Sequence, residues 1–185
     1  LVNAAVAPAG RFTVASFNVT RLGDVSETVW AAKAALALQS SMGLPDVVAL
    51  QGVDDAALAL AVQVNAVDPS LGYAPVFVAG SDVAFLLKGR VSAVSYEQVG
   101  APDMFDHPSL MLRAVVDGGS TSLPQTLGVL VNHLEPVNGV LAKRQAQANF
   151  LADYVHGRQQ NDPNEALVVV GDFNAFSFND GYVDT

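Results

Sequence analysis

Near the end of the chain, residues 166–176 read ALVVVGDFNAF, and no other run limits the possible fold as strongly. Residues 167–170 are continuously apolar and of strand length, the pattern of a buried strand. Gly171 closes the run, and an acid and an amide follow at Asp172 and Asn174. If the backbone stays extended, side chains two apart point the same way. A carboxylate and a carboxamide would then stand together at the end of a buried strand, where α/β proteins carry their ligand-binding groups. An Asx-rich turn after a strand accounts for the same residues without any function.

Two earlier runs end in a similar way. RFTVASFNV, residues 11–19, is β-rich and places Asn18 at its end; TLGVLVNHL, residues 126–134, does the same with Asn132 and His133. Each has a plain structural explanation when taken singly. Asparagine caps turns, and a lone histidine after a strand is more often a hydrogen-bonded residue than a catalyst. Together the three segments form an ordered series: strand-Asn, strand-Asn-His, strand-Gly-Asp-x-Asn.

That series resembles the endonuclease/exonuclease/phosphatase superfamily with its deoxyribonuclease-I-like fold, in particular its bacterial, often exported, members. SFNV near the start, PDVVALQ at residues 45–51, VNHL at 131–134, RQAQA at 144–148 and GDFNA at 171–175 occur in the family's order and span nearly the whole chain. The resemblance implies a layered α/β sandwich of two packed sheets flanked by helices. It also implies a divalent-metal-dependent phosphodiester hydrolase, a nuclease or phosphodiesterase, working with Mg²⁺ (or Mn²⁺ or Ca²⁺) on a phosphate ester such as DNA or RNA. Carried over by position, Asn18 and Asp172 would serve the metal. His133 would hydrogen-bond a phosphate oxygen, Asp172 would orient the attacking water, and Asn174 would stabilise charge growing on the phosphoryl oxygens.

Two departures accompany the likeness. The family's metal-binding Glu would fall where this chain has Gly52, within LQGVDD. Mg²⁺ usually takes one or two carboxylates in a near-octahedral oxygen shell, and glycine offers no side-chain ligand. Asp54 and Asp55 follow closely, but they also read as the cap region of the next helix. If the rest of the pocket is intact, Gly52→Glu is expected to tighten metal binding. The resemblance also implies a further Asp and an Asp-His pair after GDFNA. None of the three histidines, His107, His133 and His156, follows that motif. His107, in a proline-containing loop, is a candidate phosphate contact, and His156 reads as a solvated helical residue. The likeness therefore implies an incomplete sheet, to be completed by a missing C-terminal segment or a second chain, unless the domain closes in a reduced form. A non-catalytic family member acting as a binding module is the alternative function.

Composition sets the outer bounds. The chain has 185 residues, 51% of them hydrophobic and 15% charged, which suits one globular domain rather than a disordered chain. Residues 1–10 read as a linker or a mature N-terminus, and residues 11–185 as the domain. No apolar run reaches the length of a membrane span. There is no cysteine, so disulfides and thiolate metal sites are excluded. The small, apolar, proline-containing opening suits an extracellular or periplasmic protein. A net charge of −9 argues against a general nucleic-acid binder, which neutralises phosphates with clustered Lys and Arg. Small phosphodiesters and phosphomonoesters are thus alternative substrates.

Along the chain, strands and helices alternate. Helices are expected over residues 26–40, with Ser26 as N-cap and Trp30, Ala34, Ala37 and Leu38 on the apolar face, over 55–67, and within 139–157. In the last of these, Leu141, Ala148, Phe150, Leu151 and Tyr154 are core candidates. Strands are expected over 11–18, 46–51, 73–78, 83–87, 91–99, 110–117, 127–132 and 168–171.

Overall fold

The first sheet is built around β2 (Val47–Gln51), whose unbroken apolar run finds a partner on every side. β1 (Val14–Asn18) pairs with it in parallel, and β4 (Val83–Leu87) pairs antiparallel on the other side, followed by β3 (Ala74–Phe77). The second sheet runs β5 (Val91–Val99), β6 (Ser109–Val116), β7 (Gln125–His133) and β8 (Ala166–Asp172), antiparallel except for the parallel β7–β8 pair. These elements come from a computed structural model that describes residues 12–20, 25–53, 56–117, 124–136 and 141–175. The expectations for residues 1–10, Asp54, Asp55 and 176–185 fall outside the described residues.

Side-chain alternation in the strands assembles the layers. Val47 and Ala49 of β2 meet Phe85, Leu110, Leu112, Val129 and Val131 between the two sheets. Val48 and Leu50 point the other way, against α1 (Glu27–Ser40) and α2 (Ala57–Val67). On the outer face of the second sheet, Met111 and Leu130 pack with Leu151 of α3 (Leu141–Asn161). The result is the α/β sandwich implied by the resemblance, with helices on both outer faces.

The helices follow their local signals, with corrections. Ser26 caps α1, its hydroxyl accepting the Val29 N–H at 3.4 Å, and Trp30, Ala34 and Leu38 are buried as expected, whereas Ala37 is only half-buried. α3 continues through Gly157 to Asn161, because a single glycine costs a helix only about 1 kcal/mol. Two of its expected core residues face outward: Leu141 is 45% and Phe150 36% exposed. The buried polar residues of this helix are Arg144 and Gln147, from the RQAQA motif. Gln147 accepts the Glu135 N–H at 2.9 Å and donates to the Met104 carbonyl at 3.0 Å. Arg144 reaches the carbonyls of Glu135 and Pro136. The motif thus ties down the chain just after His133.

The strand at 166–172 departs from expectation. Residues 167–170 are all half-buried, because β8 lies at the edge of its sheet. The same apolar run that is fully enclosed in β2 has a neighbour on only one side here. Gly171 does not end the strand; pairing continues through Asn132↔Gly171 and His133↔Asp172. A glycine is required there, since a Cβ would stand 2.0 Å from the Asn132 carbonyl oxygen. β1 is likewise an edge strand and lies against β8. Among the described residues, two sheet edges without a further strand therefore meet along one side of the sandwich.

At the opposite end of β2, Asp46 fixes the register. Its carboxylate accepts from Arg90 through two contacts of 2.6 Å and from the Thr13 N–H at 2.8 Å. Burial pushes the Asp46 carboxyl up, but the hydrogen bonds from Arg90 and Thr13 outweigh it and hold the group below its ordinary value.

Candidate active site at the β1–β8 corner

The corner forms because parallel pairing sets the C-terminal ends of β1 and β2, and of β7 and β8, at one end of the sandwich. Asn18 is the last residue of β1, His133 the last of β7 and Asp172 the last of β8. The Asn18 amide donates to Asp172 Oδ2 at 2.7 Å, and His133 Nε2 lies 3.9 Å from that same oxygen. The three residues expected to converge are therefore in one place. Asp172 is 31% exposed, open enough to meet a ligand.

Asn174 takes a different position from the one expected. Its φ of 50° turns the chain out of the extended form, so the two side chains do not simply project in parallel. The Asn174 N–H donates to Asp172 Oδ1 at 2.9 Å, the bond of an Asx turn. Its side-chain amide donates to the Leu134 carbonyl at 2.8 Å. The turn and the site are the same structure: the turn aims one oxygen of Asp172 and leaves the other towards Asn18 and His133.

Asp82 is the participant that sequence reading missed. It sits just before β4, and its carboxylate forms a short contact with His133 Nδ1. Because β4 runs antiparallel to β2, with Gln51 opposite Val83, the start of β4 reaches the end of the sheet where β1 and β2 finish. Antiparallel order was not readable from the motif, and an acid after Gly80-Ser81 looks like any turn residue. The hydrogen bond from Asp82 raises the His133 imidazole above its ordinary value; burial opposes this, and the charges of Asp82 and Asp172 add to it. With Nδ1 held, Nε2 is the nitrogen that faces Asp172. His107 stacks on the His133 ring with centroids 5.8 Å apart, so the loop histidine is at the site as well.

Removing the Asp82 charge should therefore bring the His133 pKa down towards the value of a free imidazole. Titration of the His133 ring protons by NMR in Asp82→Asn is the measurement, and an unchanged midpoint would remove Asp82 from this role. The sign also sets a stability window. A histidine raised on folding contributes below its unfolded pKa, and that contribution is lost as pH rises through the folded value.

The donors at this corner are already engaged within the protein and do not make a divalent-ion shell. Asn18 Oδ1, the oxygen a metal would use, already accepts from the Thr20 N–H at 3.0 Å and the Thr20 hydroxyl at 2.7 Å. Among the described residues no group of three or more His, Asp or Glu side chains is arranged to hold an ion. Gly52 has φ +66°, and a Cβ built there would stand 1.9 Å from Thr20 Oγ1 and 2.7 Å from Thr20 Cα. The space a side chain at 52 would enter is taken by Thr20. A resident Mg²⁺, which prefers a near-ideal shell of oxygens, does not fit these residues as they stand.

Comparison with known proteins agrees with this architecture. No curated protein matches the chain in sequence. Among solved structures, D. rerio TDP2 complexed with single-strand DNA product is similar at 19% identity and a TM-score of 0.62, over 90% of this chain and 62% of that one. The human Nocturnin catalytic domain with bound sulfate anion follows at 18% identity and 0.63, over 89% and 65%. A β-hairpin deletion mutant of beta toxin from Staphylococcus aureus matches at 17% identity and 0.59, over 89% and 68%. The chain thus spans less than two thirds of the length of the TDP2 and Nocturnin chains. These likenesses establish a shared fold. The model of the Endonuclease/Exonuclease/phosphatase family matches residues 16–185, and the chain belongs to that family.

Proposed function

We propose that the β1–β8 corner binds a phosphate ester and hydrolyses it, as a phosphodiesterase or nuclease. The observation that carries this reading is that Asn18 and His133, from two other strands, converge on a single oxygen of Asp172. In the reaction, water adds to phosphorus, the bond from phosphorus to the leaving oxygen breaks, and that oxygen takes up a proton from solvent water. Asp172 orients the water and takes its proton. His133, whose imidazolium form Asp82 favours, offers its Nε2–H to a phosphoryl oxygen, where fixed donors act most strongly on developing charge. Asn174 holds the Asp172 carboxylate through its backbone.

A divalent ion is implied by the family, but these residues do not present a ready-made site, and no step is assigned to one. The contact between Gly52 and Thr20 favours the second reading, a family member that binds phosphate esters without turning them over. Hydrolysis of bis(p-nitrophenyl) phosphate, followed in Mg²⁺ or Mn²⁺ and again in EDTA, separates the two. We expect slow hydrolysis that is lost in Asp172→Ala. Thermal stabilisation by inorganic phosphate without any hydrolysis would reject the enzyme and leave the binding module.

A further inference from the structure

Beside the phosphate corner, between the end of β1 and α1, lies a cavity of about 250 Å³. Asn18 forms its near wall, so the cavity and the corner share a residue. Phe17, Trp30 and Ala34 line it, with Thr20 and Lys33 adding polar groups. Its size is below the roughly 300–1,000 Å³ of sites that take drug-sized ligands, which suits a single ring system. Trp30 is held in place: its indole N–H donates to the Val19 carbonyl at 2.5 Å, which fixes the ring against β1. Lys33 is exposed and has no ion pair or hydrogen bond among the described residues. An ammonium with no partner among the described residues, beside an apolar cavity in a chain of net charge −9, is an uncommon placement. It favours an occupant that presents a π-face to the ammonium.

We propose that this cavity seats the planar ring of an aromatic phosphate ester, a nucleobase on a nucleotide being the model, while the phosphate lies at Asp172 and His133. The assignment rests on the phosphate-ester reading of the corner. The apolar wall removes the ring from water, the Phe17 and Trp30 side chains supply aromatic contact, and Lys33 closes the rim. A sugar phosphate without a base would occupy the corner and leave the cavity empty.

Trp30 is the sole tryptophan of the chain, so its fluorescence reports on the cavity directly, with no need for turnover. The probes are deoxyadenosine 5′-monophosphate, ribose 5-phosphate and inorganic phosphate. The nucleotide should change Trp30 emission saturably and bind about tenfold or more tighter than ribose 5-phosphate, the fold-change that base–aromatic stacking supplies. Ala34→Leu fills the cavity and should abolish that preference while ribose 5-phosphate binds as before. Lys33→Met, at an exposed position, should weaken the nucleotide alone and serves as the second variant if Ala34→Leu does not fold. Equal affinities for the nucleotide and ribose 5-phosphate, or no change in emission on saturation, would overturn the proposal. Hydrolysis of bis(p-nitrophenyl) phosphate together with equal affinities for the nucleotide and ribose 5-phosphate would leave the corner's function standing and remove the cavity. Ring-dependent binding without hydrolysis would do the reverse.

Discussion

Gly52→Glu should destabilise the protein without creating a metal site. From the sequence, this substitution looks like a repair that returns the carboxylate the family places at the end of β2. The geometry opposes it on two grounds. The backbone at 52 is in the left-handed region, φ +66°, where a non-glycine residue costs about 1–3 kcal/mol. The new Cβ would also fall 1.9 Å from the Thr20 hydroxyl oxygen and 2.7 Å from its Cα, and displacing such neighbours typically costs a further 1–3 kcal/mol. A total of about 3 kcal/mol would lower the midpoint of thermal unfolding by about 10 °C in a domain of this size. Displacing Thr20 also breaks the two hydrogen bonds that orient Asn18, so any repair would disturb Asn18 as well. Calorimetry with and without Mg²⁺ decides the matter. A midpoint within 2–3 °C of wild type, together with new Mg²⁺-dependent stabilisation, would show that the loop relaxes and that Thr20 is no obstacle. Adding Thr20→Gly should recover part of the lost stability, since it removes the hydroxyl and Cβ contacts but leaves the close Cα.

Which features were legible in advance follows from how local their causes are. The series of Asn18, His133 and Asp172 could be read because each residue ends an apolar run, and parallel strands that end together bring their last residues together. The α/β layering could be read from the alternation of runs and helices for the same reason. Asp82 could not, because its place depends on β4 running antiparallel to β2, a pairing no local pattern encodes. The half-exposure of β8 was hidden too. Residues 167–170 and 47–50 are equally apolar, and only sheet order separates a central strand from an edge. In α3 the apolar pattern misled at Leu141 and Phe150. The buried positions there went to Arg144 and Gln147, whose side chains meet backbone groups of the loop after His133. The role of Gly52 was half legible. The absence of a carboxylate could be seen, whereas the Thr20 side chain in its place is a tertiary contact.

Asp172→Ala should lower kcat/KM for phosphodiester hydrolysis by about 10²–10³-fold, the loss typical of removing one preorganised group that acts on the transition state. The carboxylate joins three strands: it accepts from the Asn18 amide, accepts from the Asn174 N–H, and faces His133 Nε2. Its removal therefore costs the base we propose for the attacking water and one of the two charges that favour the His133 imidazolium. Stability should change little, because the group is 31% exposed and water replaces the lost hydrogen bonds to its neighbours. Asp172→Asn sharpens the test. The amide oxygen still accepts the Asn174 N–H, so the turn persists, but the charge is gone. If the acid works by taking a proton, Asn should be as slow as Ala. If it only holds the turn through Asn174, Asn should retain most of the rate, even though its amide nitrogen then faces the Asn18 donor. A wild-type rate in either variant would exclude Asp172 from the chemistry. An equal loss in both, at an unchanged unfolding midpoint, would assign the loss to the charged oxygen facing Asn18 and His133 rather than to the turn.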